Sequence, residues 1–243
     1  MGVNRWMKDE SLDRGPLVLL ACPGDVLSAG GEHLLTPCER QRADALRSRA
    51  DRDAHVAAHL LVRHCAAALT GRPLEALELM QRCAECGSTE HGRPSITGLP
   101  DLHVSLAHTR GAVVAGADRR PIGVDVEGAQ TRDLDPAVLT YTLTAAEAAR
   151  VRSAGDPSGE FLRHWVRKEC LVKVGAVTLD ELPRAELDPG TEQDAEEGRR
   201  RGRFGPLHLV DWFDPTLDVA VAAAAHEPPV VGSTGTWAPR RAT

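Results

Sequence analysis

Aromatic residues are scarce in this chain, at 3% of 243 residues, and only three of its 29 basic residues are lysine. No apolar run approaches the roughly 20 residues that cross a bilayer, and the N-terminal residues lack the apolar core of a signal peptide. Acidic residues outnumber basic ones, 35 against 29, which argues against a basic face for nucleic acid. We therefore expect a cytoplasmic protein that binds neither membranes nor nucleic acids.

Cysteine is too infrequent for a disulfide scaffold, with six residues in the whole chain, and we interpret all six as reduced thiols. Cys83 and Cys86, with His91 five residues further on, resemble half of a zinc site. A structural zinc ion takes four ligands, and no second pair of suitable spacing is found. The sequence leaves open whether these three residues bind zinc.

Five short segments recur in the same order at an offset of 105 to 108 residues, which indicates an internal duplication. Apolar strands are predicted at 16–22 and 121–127. A capping box follows each strand, beginning at Thr36 and at Thr144, in which a threonine and a glutamate cap the first turn of a helix. A long helix and a β-hairpin complete each copy. The repeat predicts an α+β fold of two related αβ subdomains, packed about a pseudo-twofold axis.

The duplication places an N-terminal subdomain at residues 1–119 and a C-terminal subdomain at residues 120–226. The segment 189–203 combines an acidic run with three consecutive arginines, and we interpret it as a solvated loop. Residues 227–243 are rich in proline, glycine, serine and threonine, and we expect them to form a disordered tail.

The two copies differ at one point in their first strands. Leu20 and Cys22 of the first copy correspond to Asp125 and Glu127 of the second. Side chains two residues apart on a strand share a face, so these two carboxylates are expected to project together. A solvated strand end is the alternative explanation, but the strand is otherwise apolar.

A third carboxylate lies on the second long helix. Phe161, Trp165, Glu169 and Lys173 recur every four residues and therefore form one stripe on that helix. An ordinary surface pair of Glu169 and Lys173 would contribute only about 0.3–0.5 kcal/mol, and it would not explain why the pair continues an aromatic stripe.

Three carboxylates without a histidine or cysteine pattern suit a hard cation such as Mg²⁺, which completes its octahedron with water and phosphate oxygens. The nearby ammonium of Lys173 would neutralise phosphate charge. The residue chemistry therefore predicts a Mg²⁺-dependent enzyme that acts on a phosphate ester or anhydride.

These residues resemble the signature of a known family. Residues 123–127 (GVDVE) and 165–173 (WVRKECLVK) are similar to the paired motifs (I/V)G(I/V)D(I/V)E and WxxKEAxxK of the 4′-phosphopantetheinyl transferases. Residues 91–94 (HGRP) and 105–109 (SLAHT) resemble upstream elements of the two-lobed, monomeric Sfp-type branch. Residues 104–105 are Val-Ser where many relatives have Phe-Asn.

The resemblance implies a monomer that binds coenzyme A in the cleft between its lobes. It implies that Asp125, Glu127 and Glu169 hold Mg²⁺, with Mn²⁺ as the alternative cation. The serine hydroxyl of an apo acyl- or peptidyl-carrier protein of fatty-acid, polyketide or nonribosomal peptide synthesis would attack the β-phosphate and release adenosine 3′,5′-bisphosphate. Glu169 is the expected general base, and Lys173 is expected to stabilise the pyrophosphate.

The resemblance also implies that Arg52, Arg93, His108 and Lys168 contact the coenzyme, mainly at its phosphates. A buried structural role for His108 is the open alternative. A polar stripe on the first long helix, His55, His59 and Arg63, is either a solvated face or a wall of the coenzyme site.

Two other functions use some of the same residues. A Mg²⁺-dependent hydrolase of nucleotides or phosphate esters would need the same three carboxylates, but it would act without a carrier protein. A non-catalytic coenzyme A-binding module would have no need of three clustered acids.

Overall fold

The computed structural model describes residues 15–83, 86–88, 92–130, 134–187, 191–194 and 198–232. Eleven strands and six α-helices lie within these ranges. The first part of the chain contains β1 (Leu17–Ala21), α1 (Pro23–Ser28), α2 (Pro37–Ala45), α3 (Arg49–Thr70), β2 (Leu79–Arg82), β3 (Arg93–Ile96), β4 (His103–Thr109) and β5 (Ala112–Asp118).

The remainder repeats this order with one additional strand. It contains β6 (Ile122–Gly128), α4 (Pro136–Thr142), α5 (Ala145–Ser153), α6 (Pro157–Val174), β7 (Thr191–Asp194), β8 (Arg199–Phe204), β9 (Leu207–Asp214), β10 (Val219–Ala225) and β11 (Val230–Gly232).

The strands form two sheets, with the orders β11-β1-β5-β4-β3-β2 and β6-β10-β9-β8-β7. Apart from β11, the two orders correspond strand for strand, since β1, β5, β4, β3 and β2 match β6, β10, β9, β8 and β7. This correspondence confirms the predicted α+β fold built from two related αβ units.

Both predicted capping boxes are present. Glu39 N–H donates to Thr36 Oγ1 at 3.3 Å, and the Glu39 carboxylate accepts from Thr36 N–H at 2.7 Å. Thr144 and Glu147 repeat the arrangement at 3.2 and 2.9 Å. Because each box satisfies two free N–H groups at a helix start, the repeated sequence pattern fixes the start of α2 and of α5.

The two sheets pack face to face between two layers of helices. Leu17, Leu19 and Ala21 of β1 belong to the core that α3 covers. Val18 and Leu20, on the opposite face, pack against the second sheet. The outer face of that sheet, in turn, is covered by α6. Strand β1 is therefore buried on both faces, which explains its uniformly apolar sequence.

Two expectations about irregular segments differ from the structure. Within the predicted loop 189–203, the described residues form β7 and the start of β8. The expected tail from residue 227 includes β11, which pairs in parallel with β1 through Leu17 and Val230. Residues 233–243 lie outside the described ranges. Among the described residues, no helix is both long and apolar enough to span a bilayer.

Candidate active site

Helix α6 lies directly on strand β6 because residue 123 is glycine. A Cβ atom at Gly123 would overlap the Cys170 carbonyl oxygen and would lie 3.0 Å from the carbonyl carbon. This close approach places the last turns of α6, with Glu169 and Lys173, against the strand that carries Asp125.

Asp125 is buried, with 6% of its surface exposed, and Lys173 is its partner. Lys173 Nζ donates to Asp125 Oδ1 at 2.7 Å and to the Val124 carbonyl at 3.0 Å. Burial raises the pKa of Asp125, and the Lys173 ammonium opposes that rise. The other oxygen, Asp125 Oδ2, is buried and has no hydrogen-bond partner, so it is available to a ligand.

Glu127 and Glu169 complete a group of three neighbouring carboxylates. Trp165 Nε1 donates to Glu127 Oε1 at 3.3 Å, so the aromatic stripe of α6 orients this carboxylate. Burial raises the pKa of Glu169, and the negative charges of Asp125 and Glu127 raise it further. The pKa of Glu169 thus responds to both of the other carboxylates, as expected for three neighbouring acids.

The described residues contain no group of three histidine, cysteine, aspartate or glutamate side chains gathered closely enough to hold a metal ion. The three predicted carboxylates are therefore neighbours that do not form a preorganised metal site. Lys173 already bonds one oxygen of Asp125. The oxygen donors and the unpartnered Asp125 Oδ2 still suit a hard cation whose remaining ligands are water and phosphate oxygens.

A cavity of about 300 Å³ lies beside this group, between the two units. Its walls come from β3, β4 and β2 on one side and from Val172 and Lys173 on the other. Arg93 spans the two sides, since its Nη2 donates to the Lys173 carbonyl oxygen at 2.7 Å. Arg93 and Lys173 are thus brought together at the cleft, and their contact with the coenzyme stays a prediction.

A second group of basic side chains lies on the N-terminal unit. His108 is exposed by surface area, which removes the alternative of a buried structural role. Its ring packs edge-on against His55 at a centroid distance of 5.8 Å. Partial desolvation by neighbouring side chains and the positive charges of His59 and Lys173 lower the pKa of His108.

Arg42 was not predicted as a site residue, and His55 was left between a solvated face and a wall of the coenzyme site, yet both present unused donors here. The Nε and Nη2 atoms of Arg42 and the Nε2 atom of His55 are buried without a hydrogen-bond partner. Burial and the charges of His59, His108 and Arg42 lower the pKa of His55 to about 4, so at neutral pH the positive charge comes from Arg42. Unused donors beside a guanidinium suit an anion such as phosphate.

The polar stripe on α3 divides between two roles. His59 Nδ1 lies 2.7 Å from Glu39 Oε1, and Arg63 contacts both Glu39 oxygens at 2.7 and 2.9 Å. All three are buried, and these partners lower the pKa of Glu39 to about 2 although burial raises it. Of the stripe, only His55 reaches the anion-binding cluster, and the other two residues anchor the capping box.

Two predicted coenzyme contacts are placed elsewhere by the structure. Lys168 is completely buried, with Nζ 2.7 Å from Glu147 Oε2 and 2.6 Å from the Leu182 carbonyl oxygen. It anchors the second capping box, as Arg63 anchors the first, and its ammonium has no surface to offer a ligand. Arg52 lies on the exposed side of α3 among the carboxylates of Glu32, Asp44 and Asp53, at 3.5 to 3.8 Å.

An apolar groove of about 240 Å³ adjoins the carboxylates on the side away from the cleft. Glu127 forms one end of it, and Phe161, Leu162 and Trp165 form its floor. Val138 on α4 lines its rim and is 42% exposed, and Tyr141, one turn further along that helix, is 77% exposed.

The cysteine pair lies in a tight turn beyond β2. Cys83 N–H donates to the Ser88 carbonyl at 2.9 Å, and Gly87 N–H donates to the Cys83 carbonyl at 3.0 Å. Both thiols are reduced. His91 lies outside the described residues, so zinc binding by Cys83, Cys86 and His91 stays an open prediction.

Comparison with known proteins shows which family this chain is similar to. Residues 121–212 match the model of the 4′-phosphopantetheinyl transferase superfamily. The matched region begins at β6 and includes all of α6, so it contains Asp125, Glu127, Glu169 and Lys173.

Individual relatives agree with the family match. The chain is 26% identical over 137 residues to 4′-phosphopantetheinyl transferase Sfp of Bacillus subtilis (strain 168), which covers 56% of this chain and 61% of the relative. It is 28% identical over 141 residues to 4′-phosphopantetheinyl transferase ffp of Bacillus subtilis, with the same coverage. A further 4′-phosphopantetheinyl transferase of Bacillus subtilis is 29% identical over 87 residues, or 36% of this chain and 39% of the relative.

These matches confirm the resemblance to Sfp-type 4′-phosphopantetheinyl transferases that the two sequence motifs predict. The chain spans less than two thirds of the length of each of these relatives.

Proposed function

We propose that this chain is a 4′-phosphopantetheinyl transferase. It would transfer the 4′-phosphopantetheine group of coenzyme A to a serine of an apo acyl- or peptidyl-carrier protein and release adenosine 3′,5′-bisphosphate. The observation that carries the proposal is that Lys173, which is bonded to Asp125, lines the cavity between the two units together with Arg93, whose Nη2 donates to the Lys173 carbonyl oxygen.

Coenzyme A matches this layout because it carries phosphate at two separate places. We assign its 3′-phosphate to Arg42 and His55, whose unused donors are suited to a dianion, and to His108, whose ring packs against His55. Its pyrophosphate then lies in the cavity beside Arg93 and Lys173. This assignment replaces Arg52 and Lys168, which contact carboxylates of the protein itself.

Asp125, Glu127 and Glu169 would hold Mg²⁺, which when bound neutralises charge on the pyrophosphate. Lys173 would contribute a second positive charge at the same place, from a position fixed by Asp125 and by the Val124 carbonyl. Trp165 keeps the Glu127 carboxylate turned toward the centre.

Glu169 is suited to take the proton from the attacking serine. Its raised pKa makes the carboxylate a better base than a solvent-exposed glutamate. The carrier's serine oxygen would bond to the β-phosphorus while the bond from that phosphorus to the bridging oxygen breaks. The proton passes to a Glu169 oxygen, and adenosine 3′,5′-bisphosphate leaves with the bridging oxygen.

The apolar groove beside Glu127 supports a protein as the second substrate. Val138 lines this groove and is exposed, Tyr141 one turn further along α4 is exposed as well, and Glu127 joins the groove to the proposed metal site. A hydrolase of small phosphate esters would have no use for apolar side chains at that place.

The test is intact-protein mass spectrometry of apo carrier proteins incubated with coenzyme A, Mg²⁺ and this chain. The expected result is the mass increase of one phosphopantetheine group on the carrier. Glu169→Gln should fold and lose most turnover, whereas Glu75→Gln, at an exposed position of the N-terminal unit, should keep it. Absence of modification across fatty-acid, polyketide and peptide carriers would refute the proposal, and nucleotide release without any carrier would indicate a hydrolase.

A further inference from the structure

Strand β6 is the free edge of the second sheet, and its outward-facing peptide groups find partners outside that sheet. At Val124, the N–H donates to Ser105 Oγ at 3.1 Å, and the carbonyl oxygen accepts from Lys173 Nζ at 3.0 Å. One residue of the catalytic strand is therefore held from both lobes, since Ser105 belongs to β4 of the first sheet and Lys173 to α6.

Ser105 is buried, with 4% of its surface exposed, and it lines the cavity between the lobes. A serine hydroxyl has two acceptor lone pairs, and one of them receives the Val124 N–H. Without that acceptor the N–H would be left unpaired in a buried site, and the edge of β6 would lose its link to the other lobe.

We infer that Ser105 is a positioning residue for the Asp125 carboxylate, which rests on the proposed function. Val124 immediately precedes Asp125, and Lys173 Nζ bonds both the Val124 carbonyl and Asp125 Oδ1. A shift of Val124 therefore moves the lysine and the carboxylate together. Ser105 holds the N–H of the same residue, and through Val124 it fixes Asp125 Oδ2, the oxygen that is offered to a metal ion.

A purely structural role for Ser105 predicts lower stability and nothing else. The positioning role predicts, in addition, a weaker metal site with a smaller effect on coenzyme binding, because the residues assigned to the 3′-phosphate, Arg42 and His55, come from α2 and α3. The two roles are separated by comparing Ser105→Thr with Ser105→Val, which have nearly the same shape and differ in the hydroxyl acceptor.

The experiment measures Mn²⁺ binding to the full chain by electron paramagnetic resonance of free Mn²⁺, with coenzyme A present and no carrier protein. Ser105→Thr should match the parent chain, and Ser105→Val should bind Mn²⁺ about tenfold more weakly, the effect of one lost buried hydrogen bond. In the transfer assay the KM for Mg²⁺ should rise by a similar factor, whereas the KM for coenzyme A should rise by a smaller factor, since Arg42 and His55 still bind the 3′-phosphate. Ser95→Ala, which removes an exposed hydroxyl on the neighbouring strand β3, is the control.

Equal Mn²⁺ affinity in the Thr and Val variants overturns the inference, whatever their melting temperatures. If Ser105→Val does not fold, Ser105→Ala replaces it, since it removes the same acceptor without adding bulk. If the parent chain modifies the carrier but the Thr and Val variants bind Mn²⁺ equally, only the positioning role is refuted. The proposed function then stands. A parent chain that neither binds Mn²⁺ nor modifies a carrier refutes both.

Discussion

Replacing Gly123 with alanine should separate helix α6 from strand β6. The added Cβ would lie 3.0 Å from the Cys170 carbonyl carbon and 3.1 Å from the Val174 nitrogen, in addition to its overlap with the Cys170 oxygen. Ordinary contacts between heavy atoms need about 3.5–4.0 Å, so the helix must move by roughly 0.5–1 Å. Helix backbone cannot swing aside as a side chain can, and the whole last turn must shift.

The cost of this change follows from that geometry. Overpacking of a core typically costs about 1–3 kcal/mol, and a backbone clash falls at the upper end. For a chain of this length, about 3 kcal/mol lowers the melting temperature by roughly 6–12 °C. Turnover should fall by about 100-fold, since a displacement near 1 Å moves Glu169 and Lys173 away from Asp125.

Gly128→Ala is the matched control, because it lies at the end of the same strand and an added Cβ would meet nothing within 4 Å. Both variants are compared by thermal denaturation followed by circular dichroism and by carrier modification. The reasoning is refuted if Gly123→Ala is as stable and as active as Gly128→Ala.

Three further predictions concern the cationic cluster, the acid stability and the buried lysine. Arg42→Ala should raise the KM for coenzyme A about tenfold while leaving the KM for dephospho-coenzyme A nearly unchanged, and equal effects on both substrates would contradict the 3′-phosphate assignment. Burial lowers the pKa of His64 to about 4, so the unfolded chain binds a proton that the folded chain excludes between pH 6.5 and 4. The free energy of unfolding should therefore fall by up to about 3 kcal/mol as the pH drops through that range, and urea titrations of His64→Phe should show a shallower dependence. Lys168→Met leaves the buried Glu147 carboxylate without its ammonium and should destabilise the fold by about 3–5 kcal/mol in urea unfolding. The surviving folded fraction should keep its KM for coenzyme A, and a selective rise in that KM would restore Lys168 as a coenzyme contact.

Local sequence patterns were sufficient for the repeat and for the carboxylate strand. The geometry of the two capping boxes can be predicted from the sequence, because the threonine and the glutamate of each box lie three residues apart. The placement of Asp125 and Glu127 follows from the two-residue period of a strand, and the position of Glu169 from the period of a helix. These are short-range relations that the order of residues encodes directly.

Some charged side chains form ion pairs within the protein, and others remain available to a ligand. This difference depends on contacts between segments that are distant in the sequence. Lys168 and Arg42 are both basic residues on helices, but Lys168 pairs with Glu147 in the core whereas Arg42 retains two unused donors. The sequence offers no spacing that separates these two outcomes.

The same reason explains why segment 189–203 was predicted as a solvated loop although its described residues form strands. Arg200 of β8 forms an ion pair with Glu160 of α6 at 2.9 Å. A run of arginines predicts a solvated loop only when no acidic side chains pack against it. Here the acidic partner, Glu160, comes from about forty residues earlier in the chain.

Strand β11 has a consequence for how the two lobes are connected. The chain builds the first sheet, leaves it to form the whole second unit, and then returns to lay Val230–Gly232 beside β1, where Val230 N–H bonds the Pro16 carbonyl at 2.8 Å. In topological terms the second unit is an insertion into the first and not an appended neighbour. A protein cut between the lobes would leave the N-terminal fragment with an open, apolar β1 edge, which favours aggregation. The two halves therefore resemble one another in shape without being separable in folding.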